Sequence, residues 1–396
     1  MNIIYADNNA TTAVAPEAYE VMIPYLTTNY FNPSSMYDAA APAAEAVALA
    51  RRRVAELLAV EDPQQIVFTS CATESNNTAI RGTAMANPER KHIITSAVEH
   101  PAVLEVCKEM ENQGYDVTYI PVDEKGELNI PEFIRALRQD TLLVTIMHAN
   151  NETGVIFPVN ELARITKETD SSIVFHTDAT QSVGKIPLNM EDEFAHVDML
   201  SLSGHKLHAP KGVGALFMRH NTRCRPFMLG GHQEDSFRAG TENVPHIAAL
   251  GNACEVAAEK IEEENQLQSL RDRLEESIIE TVPYVDVNGA GAPRLPNTAS
   301  LSCHFVEGEG ILYQLSDQGI CVSSGSACTS GSLEPSHVLK AMKVPFTALH
   351  GSVRFSLSRY NTETEIDRII EFFPEVIANL RRLSPYWDNK TNGPAQ

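Results

Sequence analysis

Lys206 closes the run Ser201-Leu202-Ser203-Gly204-His205-Lys206, just past the apolar stretch from Val197 to Leu200. Lysines are usually solvated, and alone this one reads as a loop residue. Its neighbours shift that reading: Ser203 and His205 offer donors to a phosphate, and Gly204 lets the backbone approach closely. An amine beside a phosphate cradle points to pyridoxal 5'-phosphate held as a Schiff base. That cofactor needs a carboxylate against its pyridine nitrogen to work as an electron sink. Asp178, in His176-Thr177-Asp178-Ala179-Thr180-Gln181, follows the run Ile173 to Phe175. A strand-end Asp is often only a turn residue. With the Lys206 motif downstream the ring contact is the better reading, and Gln181 can donate to the phenolic oxygen. Thr73, in Ser70-Cys71-Ala72-Thr73-Glu74, fits a helix start, where free N–H groups and the positive dipole end bind phosphate. Taken alone it is a helix cap; lysine, carboxylate and phosphate site at three strand ends form a constellation.

Other residues add chemistry. His100, in Val98-Glu99-His100-Pro101, can stack on a cofactor ring and shuttle protons. Asn151, in His148-Ala149-Asn150-Asn151-Glu152-Thr153-Gly154, again follows a strand end. Arg354 reads equally as a bidentate carboxylate clamp and as a surface ion pair. Cys328 lies in Ser323-Ser324-Gly325-Ser326-Ala327-Cys328-Thr329-Ser330-Gly331-Ser332, a composition typical of mobile linkers. Free cysteines are normally buried. A thiol on a flexible tether reads either as an incidental surface cysteine or as a group that must travel, and the Lys206 constellation favours travel.

The elements that must position these groups are short β-branched runs alternating with helical patterns. Gln65–Thr69, His92–Thr95, Val117–Ile120, Leu142–Ile146 and Ile173–His176 read as buried strands, and Glu45–Val60 and Pro131–Arg138 as helices. Such alternation predicts an α/β fold with a mainly parallel sheet covered on both faces, whose functional residues gather at the carboxyl ends of strands. Ile261, Leu267, Leu270, Leu274 and Ile278 recur at helical spacing, predicting one long helix over Ala258–Thr281 that joins a second domain. The tail 388–396 is polar and expected to be disordered.

The 396 residues carry a net charge of −21, which disfavours nucleic acid and anionic membrane as partners. The start lacks a secretory pattern, and no apolar run approaches membrane-spanning length. Seven scattered cysteines show no structural-zinc spacing, so reduced thiols in a cytoplasm are expected. No dinucleotide fingerprint and no internal repeat are present.

Asp7-Asn8-Asn9-Ala10-Thr11-Thr12, Ala72-Thr73-Glu74, Glu99-His100-Pro101, Asn150 to Gly154, Asp178 to Gln181, Ser203 to Lys206 and Ser324 to Cys328 occur in an order that resembles the cysteine desulfurases. These are fold-type I pyridoxal-phosphate enzymes of the class-V aminotransferase family, and the likeness runs from about Ile3 to Trp387. Gly231 to Glu234, Ala239 to Asn243 and Ser384 to Trp387 resemble the nitrogen-fixation branch. The resemblance implies a large domain (15–257) with a mainly parallel seven-stranded sheet. It also implies a smaller α+β domain (1–14 and 258–387) carrying the cysteine loop, about 321–333. It implies Lys206 as the covalent lysine and proton carrier, with His100, Asp178 and Gln181 on the ring. Ala72, Thr73, Ser203 and His205 would hold phosphate, with Thr241 reaching the phosphate of a neighbouring subunit in a homodimer. Asn151 would sit near the cofactor and, with Arg354, bind the carboxylate of L-cysteine. Cys328 would be the nucleophile, taking sulfur as a persulfide once deprotonated with help from a cationic group such as His100. It would then deliver the sulfur to an iron–sulfur scaffold, in a contact that is transient rather than a structural metal site.

Phe31, Tyr37 and Asp235-Ser236-Phe237 depart from the family pattern, the last near Thr241, where partner docking or phosphate binding would feel the change. The alternatives are a lyase preferring selenocysteine, an aminotransferase, which would not need Cys328, and a non-catalytic scaffold subunit of the same fold.

Overall fold

The structure, a computed structural model, describes residues 3–261, 264–324 and 335–395. These residues build a seven-stranded sheet from β1 (Ile66–Thr69), β2 (His92–Ser96), β3 (Asp116–Ile120), β4 (Thr141–Thr145), β5 (Val174–Asp178), β6 (Met199–Ser203) and β7 (Gly214–Met218). Their order across the sheet is β1-β7-β6-β5-β4-β2-β3. Only β7 runs against the others, pairing antiparallel with both β1 and β6. Every residue of β1, β2, β4, β5 and β6 is buried, as expected of strands covered on both faces. The edge strand β3 is largely half-exposed.

Each predicted strand is present within a residue or two. The informative differences lie at the carboxyl ends. The fifth run extends to Asp178, so this carboxylate is the last residue of β5 rather than part of a loop. The apolar run before Lys206 continues through Ser203, and a single 3-10 turn, Gly204–Lys206, then turns the lysine off the sheet. The strand β7 was not among the runs singled out. It begins at Gly214, where a Cβ would lie 2.6 Å from the Leu202 carbonyl and 2.9 Å from the Cys71 Cα. Only glycine lets β7 pass that close to the start of the Ala72–Ala86 helix.

A separate apolar cluster (Ile4, Leu274, Ile278, Leu301, Phe355 and Phe373 among others) organises the rest of the chain. It lies around an antiparallel sheet of Ser352–Ser356, Thr298–Cys303 and Val285–Val287. The first strand, Ile4–Tyr5, joins this region by pairing parallel with Ile320–Cys321. Where one helix is expected over Ala258–Thr281, the described residues give the helices Val244–Lys260 and Glu264–Thr281, and residues 262–263 lie outside the described residues. The tail also differs from expectation. Trp387–Asp388 pairs antiparallel with Gly393–Pro394, and Trp387 lies against the Arg381 guanidinium at 4.7 Å. One buried indole supplies the anchor that the polar composition of 388–396 conceals.

Candidate active site

Five strands of the sheet end on the same edge, and the residues that follow converge on one cavity of about 320 Å³. Ala72 and Thr73 come from beyond β1, His100 from beyond β2, Asn151 from beyond β4, Asp178 and Gln181 from β5 and its turn, and Ser203, His205 and Lys206 from β6. Arg354 enters from the small antiparallel sheet. Thr241 does not line this cavity and is exposed. Cys328 lies outside the described residues, but the chain on either side of it is placed. Ser323 lines the cavity and exchanges backbone hydrogen bonds with Arg354. Ser336 donates from its Oγ to Glu152 (2.5 Å), next to Asn151, and caps the His337–Ala341 helix.

One wall suits an anion. The Ala72–Ala86 helix has no side-chain cap at Cys71, so its first N–H groups face the cavity. Ser203 Oγ is buried with no partner among the described residues. His205 Nδ1 shares a hydrogen bond with Thr11 Oγ1 (3.1 Å). Burial, helped by Lys206 and Lys211, lowers its pKa to about 4, so it stands neutral beside the lysine. Opposite, Asp178 accepts from Asn76 Nδ2 (2.7 Å) and from the Thr180 N–H (3.0 Å), which fixes its carboxylate at the strand end.

His100 caps the Pro101–Asn112 helix, its Nδ1 accepting from the Ala102 N–H at 3.1 Å. Burial holds its pKa below the ordinary value, opposed by Asp178 and assisted by Lys206 and His337. The ring is therefore neutral near pH 7, with its proton on Nε2. This corrects the expectation of a cationic His100 assisting a thiolate: a desolvated imidazole at a cap cannot keep two protons cheaply. Arg354 is also not the surface pair allowed by the sequence. It is 5% exposed, its Nη1 donates to the Asn151 carbonyl (2.8 Å), and its Nη2 donates to Asp7 Oδ1 (2.8 Å). Its Nε is buried without a partner among the described residues.

Lys206 donates from Nζ to the carbonyls of Asn9 (2.5 Å) and Ala10 (2.7 Å). Asn9 is the residue that motif reading left without a role. Its carbonyl also accepts from Gln181 Nε2 (3.0 Å), and its Nδ2 donates to the Asn151 carbonyl and to Thr298 Oγ1. The run Asp7 to Thr12 contained the signal, but a side-chain amide near the start of a chain carries no chemical mark of a hub. Two buried acids complete the surroundings. Burial raises Glu99 to about 8 despite donation from Ser96 Oγ and the Met147 N–H, and Asp178 adds to the rise. Burial likewise raises Glu152 to about 7 against the Ser336 hydrogen bond and Arg354.

Thr241 belongs to a segment clamped onto the anion wall from outside. Arg238 forks onto Glu74 in the first turn of the Ala72–Ala86 helix (2.8 and 3.1 Å). Burial raises the Glu74 pKa, but donation from Arg238 and Ser70 outweighs it and leaves the carboxyl below its usual value. Arg51 forks onto Glu234 (2.7 Å to each oxygen). Between the clamps, Glu234, Asp235 and Ser236 all adopt positive φ, at 46°, 52° and 66°. Phe31 and Tyr37 form an aromatic group with Tyr30 on the surface.

A family model described as "Aminotransferase class-V" matches residues 4–369. The chain belongs to this family. A cysteine desulfurase of Trichormus azollae is 54% identical over 387 residues, covering 98% of this chain and 96% of its own. "Cysteine desulfurase NifS" of Azotobacter vinelandii is 51% identical over 394 residues, covering 99% and 96%. A solved structure described as a NifS-like protein matches with a TM-score of 0.89 at 37% identity, covering 96% of this chain and all of its own. In this class-V aminotransferase chain, no helix among the described residues is long and apolar enough to cross a membrane.

Proposed function

We infer that the protein is a cysteine desulfurase, which takes sulfur from L-cysteine, releases L-alanine and carries the sulfur as a persulfide on Cys328. The observation that carries this reading is the convergence of Lys206, Asp178 and the open Ala72–Ala86 helix start on one cavity. On one side of Cys328, Ser323 lines that cavity and pairs with Arg354, and on the other Ser336 bonds to Glu152, next to the lining residue Asn151.

The residues present fit pyridoxal 5'-phosphate. The unpartnered Ser203 Oγ, the uncapped helix N–H groups, Thr73 and neutral His205 suit a phosphate, and Asp178 suits a protonated pyridine nitrogen. When bound, the cofactor supplies an electron sink that makes the substrate α-proton acidic and the bond to sulfur labile. His100 would pack its ring on the cofactor face, and Gln181 would offer an N–H to the ring oxygen. Lys206 Nζ would take and hold the substrate α-proton. Arg354 Nε, with no protein acceptor, is the donor left over for the substrate carboxylate, beside Asn151. At the sulfur the C–S bond breaks, an S–S bond forms to Cys328 Sγ, and the substrate Cβ gains a proton to become the methyl of alanine. Cys328 lies five residues beyond Ser323, a reach of at most about 18 Å.

The chain acts as a homodimer in which the exposed Thr241 serves the cavity of a second copy. The sulfur acceptor is an iron–sulfur scaffold of nitrogenase maturation, a reading supported by the relative named NifS. The six cysteines among the described residues are all unpaired, in keeping with a reducing cytoplasm.

Purified protein should be yellow and convert L-cysteine to alanine, with sulfide released once reductant is added. Cys328→Ala should keep the colour and lose the sulfide. A colourless protein that cannot be reconstituted with pyridoxal phosphate would refute the enzyme reading. Full sulfide release by Cys328→Ala would refute the persulfide route alone.

A further inference from the structure

Behind the cavity, on the far side of Asn9, lies a second lysine that the mechanism does not use. Lys185 is 8% exposed and lines a narrow space of about 20 Å³ together with Lys206, His208 and Arg359. Arg359 and Lys206 are cations, and burial with help from Arg359 lowers the His208 pKa to about 4, so that ring is neutral. A buried ammonium among cations is costly unless acceptors satisfy it. Lys185 Nζ donates to Gln181 Oε1 (3.0 Å) and to Asn9 Oδ1 (3.2 Å).

An ammonium only donates, so it decides which end of each amide it faces. With both oxygens drawn to Lys185, both NH₂ groups must point the other way. The Gln181 NH₂ then meets the Asn9 carbonyl, the same oxygen that receives Lys206 Nζ, and its second N–H remains for the cavity that Gln181 lines. The Asn9 NH₂ meets the Asn151 carbonyl and Thr298. Without the cation, the Gln181 oxygen loses the donor that Lys185 gives it and the Asn9 oxygen keeps Asn297 Nδ2 (3.1 Å), so each amide is held less firmly in the orientation that the Asn9 and Asn151 carbonyls also favour.

We propose that Lys185 is a positioning residue that fixes the amides of Gln181 and Asn9, aiming the Gln181 N–H into the cavity and holding the carbonyl on which Lys206 rests. This deepens the function proposed above, since it rests on Gln181 facing the cofactor's ring oxygen.

The test follows the pH midpoint of the visible band of the purified holoenzyme, beside thermal stability and steady-state kinetics. A donor on the ring oxygen draws off negative charge that would otherwise hold the neighbouring proton, so losing that donor raises the midpoint. Gln181→Ala reports the direct effect, Lys185→Met removes the cation while keeping the stem, and Lys185→Arg keeps a donor-only cation. Lys185→Met should raise the midpoint in the same direction as Gln181→Ala, by about half a unit to one unit. It should lower kcat more than it raises KM, and Lys185→Arg should restore most of the difference. If Gln181→Ala moves the band and Lys185→Met does not, Lys185 is only structural and the proposal is overturned, whatever happens to stability. If neither moves it, the reading of Gln181 itself is wrong and the proposal falls with it. Should Lys185→Met fail to fold, Lys185→Gln, which offers an acceptor as well as donors, must show the same upward shift or the proposal is refuted.

Discussion

Glu99 offers a sharp test of the buried electrostatics under the cavity. Its carboxyl is fully buried, with Oε1 taking Ser96 Oγ (2.6 Å) and the Met147 N–H (2.9 Å) and Oε2 taking nothing from the protein. Burial raises its pKa from 4.5 to about 8, with Asp178 adding to the rise. A carboxyl raised on folding contributes fully below its unfolded pKa, and that contribution is lost as pH climbs through the folded value. Relative to an uncharged side chain, the wild-type Glu should cost about 1 kcal/mol at pH 5 and about 4 kcal/mol at pH 8. Glu99→Gln keeps the shape and cannot ionise. Urea titrations of both proteins between pH 5 and pH 8.5 should therefore show the stability difference moving in favour of the variant by about 4 kcal/mol across that window. Comparing the two proteins cancels every other titrating group. A difference that stays flat with pH would show that Glu99 is charged in the folded protein and refute the burial argument.

Arg354→Lys should raise KM for L-cysteine by ten-fold or more with a smaller change in kcat, because a point charge replaces a fork whose Nε serves the carboxylate; an unchanged KM would remove Arg354 from the substrate site. Arg238→Ala leaves Glu74 unpaired at the helix start and should cost about 1–3 kcal/mol of stability while speeding loss of cofactor during dialysis; unaltered cofactor retention would separate the clamp from the anion wall. Asp235→Gly relieves one of three successive left-handed residues and should raise the urea midpoint, by about 1 kcal/mol at most; a lower midpoint would mean that the Asp235 side chain is held for other reasons. His148 and His176 are buried neutral, with pKa lowered to about 4 chiefly by desolvation. The stability they secure is present above the unfolded value of about 6.5 and is lost as pH falls towards 4. Acid unfolding monitored by circular dichroism should accordingly begin below pH 6.5 and take up protons; no proton uptake on unfolding at pH 5 would contradict this.

The sequence by itself determined where chemistry would gather. Strand–helix alternation sends every loop after a parallel strand to one edge, so Thr73, His100, Asn151, Asp178 and Lys206 had to meet once each was read as following a strand. Their residue types then named the reaction class, since amine, carboxylate and open helix start serve few purposes together. The order of the tail was not legible, because a single indole anchors an otherwise polar stretch. The protonation and orientation of the groups were left to the tertiary structure. Asn9 meets Lys206 across 197 residues and Arg354 meets Asp7 across 347, and neither contact leaves a local pattern. Whether His100 is charged, Arg354 paired or Glu99 protonated depends on water excluded by distant segments. Desolvation is a property of the packed chain, so composition could name the acids, bases and amides of this site while only the fold could set their states.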